Sequence, residues 1–327
     1  MRKQKELKIS VIVPVYNVGT VLIDMLQSLK RQDYPIKEII LIDNHSTDNS
    51  VSIANEFKKR NKKINVKIIE RDKTYGISSS YNLGAKVAKG DYIVTLHSDS
   101  CLPTKKELRK LISPILQDSN IVATAPVIVH QRKIWLKYNF WQKCIFARDA
   151  DTEVPSGVGK FDCFRKDIFL QIGGFDENKF SRCIGAEEVD LYIRLRKEGT
   201  VVNTTARVIH LHSFDENYRL KDWIEKRRFL ARTYGRHIRL HTRYVKKDLF
   251  YFSVKPLLTL FTPAIFINIL FIFPYLLFPF FYMPKMFLER STVSDGRIIL
   301  LPFVLLFLVY YETYWMFEGF IFVNRKV

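Results

Sequence analysis

The sequence is poor in the residues that staple or ligate a chain through sulfur. Four cysteines, Cys101, Cys144, Cys163 and Cys183, are scattered over 327 residues without a C-x-x-C pair. That spacing argues against a disulfide framework or a thiolate zinc site and fits a reducing compartment. G-x-G-x-x-G and the P-loop lysine pattern are both missing, which argues against a dinucleotide site or an NTPase cradle. No internal repeat or low-complexity tract occurs. Acid is scarce as well: Asp+Glu number 33 against 52 Lys+Arg, a formal net charge of +19. Such a surplus favours anionic partners, whether nucleic acid, acidic lipid or a phosphorylated substrate, and says nothing about fold. The opening MRKQKELKISVIVPVYN holds no signal-peptide core or small-residue cleavage site, so the N-terminal part is expected on the cytoplasmic side.

What the chain does have is a sharp change of character near residue 250. Before it, short apolar runs of strand length lie at 8–13, 38–42, 66–70, 91–96 and 120–127. They alternate with amphipathic stretches at about 19–31, 49–60, 77–88 and 104–117, the signature of an α/β fold with a mostly parallel sheet. Ligands of such sheets collect at the carboxyl ends of the strands. Three polar clusters fall there: PVYN (14–17), DNHSTDNS (43–50) and HSDS (97–100). Each alone is ordinary turn chemistry; three on one edge point to a ligand.

After residue 250 the chain is apolar. Leu257 to Met283 carries no charge and as one helix would reach roughly 40 Å, enough to cross a bilayer. Pro263, Pro274 and Pro279 could instead kink it into a re-entrant hairpin. A second run, Ile298 to Val323, is interrupted only by Glu312 and Glu318. Lys285, Arg290 and Arg297 between the runs favour a cytoplasmic linker, and the choice between one crossing and two stays open. Ahead of both lies an arginine-rich stretch, Arg219 to Lys247, with Trp223, Phe229, Tyr234 and Tyr244 interleaved. Basic and aromatic residues together can mean nucleic acid, but beside apolar runs they read as an interfacial amphipathic helix on anionic lipid. Nucleic acid is therefore not the expected partner. Trp135 and Trp141 are expected in a core rather than on a binding platform.

VIVPVYNVGTVLIDMLQSLKRQ, EIILIDNHSTDNS and GISSSYNLGAKVAKGDYIVTLHSDS, followed by IGGFDENKFSRCIGAEEVDLYIRLRKEGT, closely resemble the family 2 glycosyltransferases. The resemblance runs from residue 8 to about 212 and implies a GT-A (Rossmann-like) catalytic domain over 1–215; composition adds a basic interfacial helix over 216–250 and a hydrophobic membrane-anchor region over 251–327. It implies that Pro14, Val15, Tyr16, Asn17 and Asp43 hold the nucleoside of a nucleotide-sugar donor, with Asp72 at the base edge and Asp176 on a sugar hydroxyl. Asp48 is read as a helix N-cap.

The family's Asp-X-Asp appears here as His97-Ser98-Asp99. By the resemblance, His97 and Ser98 contact the donor, while Asp99 and His210 hold Mn²⁺ or Mg²⁺; His212 is a weaker candidate. The family's Glu-Asp base motif appears as Glu187-Glu188, which makes Glu188 the expected base, with Glu187 and Asp190 as fallbacks. Gly173 and Gly174 are expected to turn a backbone toward the sugar.

The implied activity is inverting transfer of one sugar to a lipid-linked or glycan acceptor at the cell membrane, the catalytic domain facing the cytoplasm. A non-catalytic nucleotide-sugar-binding membrane protein and a polysaccharide synthase are the alternatives. The chain lacks the synthases' Q-x-x-R-W sequence, and it says nothing of oligomeric state.

Overall fold

The computed structural model describes residues 7–155, 159–180, 187–211, 216–241 and 248–322, with side chains from Val254 onward in the last stretch. Cys183, His212 and Tyr244 lie outside the described residues. The chain forms two compact units, one of residues 1–131 and 151–213, the other of 132–150 and 214–326.

The first unit opens with β1 (Ile9–Val15), α1 (Gly19–Lys30), β2 (Glu38–Asp43), α2 (Ser50–Arg60), β3 (Val66–Glu70), α3 (Ile77–Val87) and β4 (Tyr92–Thr95). There follow β5 (Ser100–Cys101), α4 (Glu107–Gln117) and β6 (Ile121–His130). Two helices of the other unit, α5 (Arg132–Trp135) and α6 (Phe140–Phe146), intervene. The first unit resumes with β7 (Thr152–Pro155), β8 (Cys163–Arg165), α7 (Lys166–Gln171), α8 (Glu187–Glu198) and β9 (Thr200–His210).

Among the described residues, nine strands join one sheet in the order β3-β2-β1-β4-β8-β6-β9-β5, with β7 beside β6. The β3-β2-β1-β4 block is parallel. The other half mixes the parallel pair β6–β9 with antiparallel β8, β7 and β5. The apolar runs are continuous because the sheet is covered on both faces. Val11, Val13, Ile39 and Leu41 face a core with α1, α2 and α4, while Ile12, Ile40 and Ile42 face a second core with α3, α7 and α8. Parallel pairing in register, Val15 opposite Asp43 and Asp43 opposite Glu70, puts the ends of β1, β2 and β3 on one edge.

The second unit is helical. Its core joins Trp135, Trp141 and Cys144 to Trp223, Met286 and Leu305, so both tryptophans are core residues, as their sequence context predicts. The basic stretch forms α9 (Leu220–His241), followed by α10 (Asp248–Phe261). The uncharged run from Leu257 is not one 40 Å helix. It stops after Phe261, resumes over Ala264–Ile267, and breaks at Asn268, whose extended backbone and side-chain bond to Leu270 N start a new turn. A further helix spans Phe273–Tyr282, with Pro274 in its first turn, where a missing N–H costs nothing.

The run 298–323 does contain a long helix, Leu301–Ile321. It is the one described helix long and apolar enough to cross a membrane by length and composition, and 39% of its most apolar window is buried. Its two acids are explained by partners: Glu312 pairs with Arg227 and Lys255, and Glu318 with Arg232. These arginines of α9 therefore face a neighbouring helix. Gly235 and Gly319 permit that approach, since a Cβ at either would stand within about 2 Å of the other helix's backbone.

Candidate active site

A cavity of about 270 Å³ opens at the carboxyl edge of the parallel block, lined by Pro14, Val15, Tyr16, His97, Ser98 and Asp99. These are the residues the sequence places there. Asn44, from the 43–50 cluster, and Thr74, Gly76 and Ile77 line it too, though none is among the expected site residues.

The other predicted donor residues do not line this cavity. Asn17, in the left-handed region at φ 49°, accepts a hydrogen bond from Thr47 N at 2.8 Å and so ties the loop after β1 to the loop after β2. Asp43 accepts from His45 N and Ser46 N through Oδ2, while its buried Oδ1 has no hydrogen-bond partner. Buried acceptors are seldom left unsatisfied in this way. Asp72 is exposed and accepts from the Tyr75 hydroxyl at 3.0 Å. Asp48 sits one residue before the α2 cap position, accepting from Ser50 N and from Gly19 N at the start of α1.

Asp176 accepts from Asn178 N and Lys179 N and pairs with Lys179 Nζ at 3.2 Å, so both oxygens hold a turn. The turn before it does need its glycines, at φ 82° and 65°. However, the close approach serves Asn82, whose Oδ1 would stand 2.2 Å from a Cβ at Gly174. The backbone is brought against that amide.

Strand pairing assembles the most distinctive cluster. β5 runs antiparallel to β9 with Ser100 opposite His210, and Leu211 N donates to Asp99 O. This brings His210 Nε2 within 3.1 Å of Asp99 Oδ2, across 111 residues of sequence. His97 Nδ1 stands 3.8 Å from Asp99 Oδ1. One ligand atom from each of His97, Asp99 and His210 lies within 4.8 Å of the others. Asp99 Oδ1 and His97 Nε2 are buried without a hydrogen-bond partner, and buried polar atoms are seldom left so.

Burial, reinforced by the Lys160 ammonium, pushes His97 well below its ordinary pKa and His210 down to about 4. Both rings are therefore neutral near pH 7, the form that ligates metal. Burial would raise Asp99, but His210 and Lys160 outweigh it and hold that carboxyl well below its ordinary range. An ionised carboxylate with two neutral imidazoles fits a divalent ion. Lys160 Nζ lies 3.0 Å from His210 Nε2; a nitrogen that accepts from this ammonium cannot also donate to Asp99.

Glu188 is buried at the start of α8, with Oε2 lacking a hydrogen-bond partner. Burial and neighbouring Glu187 push its carboxyl well above the ordinary range. Glu187 is buried beside it, and Asp190 is held by Arg194 Nε and Nη2 at 2.8 and 2.7 Å. Of the three acids, Glu188 is the one with an orphaned oxygen.

The link between Glu188 and the imidazole cluster is Tyr81, which lies inside the GISSSYNLG stretch but is not among the expected site residues. Its ring stands 6.3 Å from that of His97, and its hydroxyl donates to Gly159 O at 3.2 Å. Gly159, at φ 70°, lies against Glu188: a Cβ there would be 3.2 Å from Glu188 Cγ. The Gly159 N–H donates to Asp162 Oδ2, and burial drives the Asp162 carboxyl up to about 7. A lone acid inside the apolar FDCF (161–164) was the available signal for this residue.

A Rossmann-like parallel block, a mixed half-sheet and an acid–imidazole cluster at the strand edge together define a GT-A-type domain. Residues 10–172 match the family described as Glycosyl transferase family 2, and the chain carries a domain of that family. It is 38% identical over 91 residues to glycosyltransferase GlyG of Streptococcus pneumoniae serotype 4, a match covering 28% of this chain and 30% of that protein. It is 27% identical over 225 residues to the O-antigen chain rhamnosyltransferase RfbN of Salmonella typhimurium, covering 63% and 67%. Its fold is similar to that of the mannosyltransferase PcManGT of Pyrobaculum calidifontis, solved with GDP-Man and Mn²⁺. There the TM-score is 0.55 at 16% identity, with 98% of this chain and 86% of that one covered.

Proposed function

We propose that the protein is a metal-dependent, inverting glycosyltransferase that moves one sugar from a nucleotide-diphosphate donor to a membrane-associated, lipid-linked acceptor. The observation that carries this reading is the His97–Asp99–His210 cluster beside the strand-edge cavity, in a domain of glycosyl transferase family 2. Pro14, Val15 and Tyr16 would bound the nucleoside, and Asp43 Oδ1 would accept from the base. Asp99 and His210, with His97 in reach, would hold a divalent ion. When bound, that ion supplies positive charge against the leaving diphosphate. Two imidazoles favour Mn²⁺ over the harder Mg²⁺.

In this mechanism the acceptor oxygen attacks the anomeric carbon from the face opposite the diphosphate. The bond from that carbon to the diphosphate oxygen breaks, its electron pair leaving with the diphosphate. Glu188 takes the acceptor's proton. Burial makes its ionised form a stronger base than an exposed glutamate, which suits the role.

The exposed apolar surface of the helical unit supports a membrane association: Phe266, Ile267 and Phe281 are 91%, 85% and 80% exposed, more than a soluble surface carries without a partner. We place the catalytic unit on the cytoplasmic side. The test is mass spectrometry of lipid products. Purified protein is given a panel of nucleotide sugars with polyprenyl phosphate or extracted lipid-linked glycans. One hexose mass added to a lipid supports the reading; donor turnover without any lipid product removes the lipid-linked acceptor.

A further inference from the structure

The helical unit contains a second, larger cavity of about 630 Å³, a volume usual for a ligand site. Among the described residues its charged lining is Arg148, Lys226, Arg227 and Lys255 against Asp149 and Glu312. The centre of this group is buried, Lys255 being 9% exposed and Glu312 7%.

Glu312 accepts from Arg227 Nε at 2.8 Å and Nη2 at 2.7 Å, and from Lys255 Nζ at 2.6 Å. One carboxylate thus faces two cations, and the trio sums to +1. Tyr282 does not change that sum; its hydroxyl only accepts from Arg227 Nη2 and Lys255 Nζ. Among the described residues, Arg227 Nη1 makes no hydrogen bond, and beyond its two bonds Lys255 Nζ meets only the Tyr282 ring, 4.5 Å away. Surplus buried positive charge is costly unless an anion meets it. Arg148 stands 5.3 Å over the Tyr282 ring and Lys226 5.2 Å over the Phe146 ring, adding two cations at the same cavity.

The rest of the wall is apolar, including Leu230, Val254 and Phe278, and it reaches the surface at Phe281, which is 80% exposed. A free anion has no use for that wall, and a hydrocarbon has no use for the cations. A molecule with both parts matches the whole cavity.

We propose that this cavity binds the phosphate or diphosphate head of a long-chain lipid, with its hydrocarbon lying along Phe281. The inference deepens, and rests on, the lipid-linked acceptor proposed above.

The test is calorimetric binding of farnesyl diphosphate to the full chain in neutral detergent, beside farnesol and inorganic pyrophosphate. Farnesyl diphosphate should bind, and pyrophosphate should bind much more weakly for want of the apolar wall. The double variant Arg148→Gln/Lys226→Gln should weaken farnesyl diphosphate roughly tenfold to thirtyfold and leave farnesol unchanged. The charge-keeping pair Arg148→Lys/Lys226→Arg should restore most of the loss. No binding by the wild type, equal binding by the double Gln variant, or pyrophosphate bound as tightly as farnesyl diphosphate would each overturn the assignment.

Sugar transfer to a polyprenyl phosphate separates the two claims. Transfer with an unchanged acceptor KM in the double Gln variant removes the cavity and keeps the acceptor. Farnesyl diphosphate binding as expected, with neither a lipid phosphate nor a lipid-linked glycan accepting sugar, removes the acceptor and keeps the cavity.

Discussion

Glu188→Gln should make the protein more stable and nearly inactive at once. The change is isosteric and removes only the charge. In the folded protein the carboxyl is buried against Gly159, next to Glu187, and its pKa is raised well above the ordinary range. The folded chain therefore keeps a proton that the unfolded chain has already released. Its stability falls as pH climbs from the ordinary glutamate range through the folded value. The glutamine carries no such dependence, so the variant's Tm should match the wild type near pH 4 and exceed it at pH 8. Activity moves the other way: a positioned general base contributes about 10²–10⁴-fold, or roughly 3–5 kcal/mol of barrier. The assay pairs thermal unfolding at the two pH values with initial rates on the donor found active in the panel. A variant within about tenfold of wild-type rate refutes the base assignment and points to an acceptor already ionised, such as a phosphate. A Tm lowered at pH 8 refutes the physical account of the site.

Asp99→Asn and His210→Ala should each weaken Mn²⁺ binding by at least about tenfold, read by electron paramagnetic resonance of the free ion; unchanged binding would move the metal elsewhere. Asp162→Asn should flatten the pH dependence of stability between about pH 4 and 7. With a carboxyl raised to about 7, the wild type loses up to roughly 4 kcal/mol across that window as the unfolded chain deprotonates first. Denaturant melts at pH 4.5 and 7.5 measure the difference. Gly235→Val places a Cβ 1.9 Å from Met316 O and should destabilise the helical unit by about 3 kcal/mol or more, whereas a serial loss of exposed lysines on α2 should leave its melting unchanged.

The parallel block was legible because strands buried on both faces write unbroken apolar runs, as Ile39 to Ile42 do. The antiparallel half was not. β5 has two residues and β8 three, and each exists through its partner rather than any local pattern. The same limit governs the site. Turn motifs mark Pro14 and Asp99 directly, but only the β5–β9 register explains why His210 meets Asp99.

Lys160 and Asp162 belong to no motif, and their importance is electrostatic, visible once burial fixes which charges share a volume. The apolar tail shows the converse. Composition identifies it as hydrophobic, but the breaks at Phe261 and Asn268 depend on where proline and an asparagine cap interrupt the backbone. Glu312 and Glu318 looked like blemishes in an apolar run; each is the anchor of an ion pair.

The most direct test of the account is nucleoside diphosphate release from a donor panel, with polyprenyl phosphate and extracted lipid-linked glycans present as acceptors, by the wild type and by Asp99→Asn, each with Mn²⁺ and with chelator. The account predicts release by the wild type with Mn²⁺, loss with chelator, and a near-complete loss in Asp99→Asn under both conditions. Nucleotide binding without release from any donor would contradict it and make the His-Ser-Asp cluster the site of a protein that binds a nucleotide sugar without transferring it.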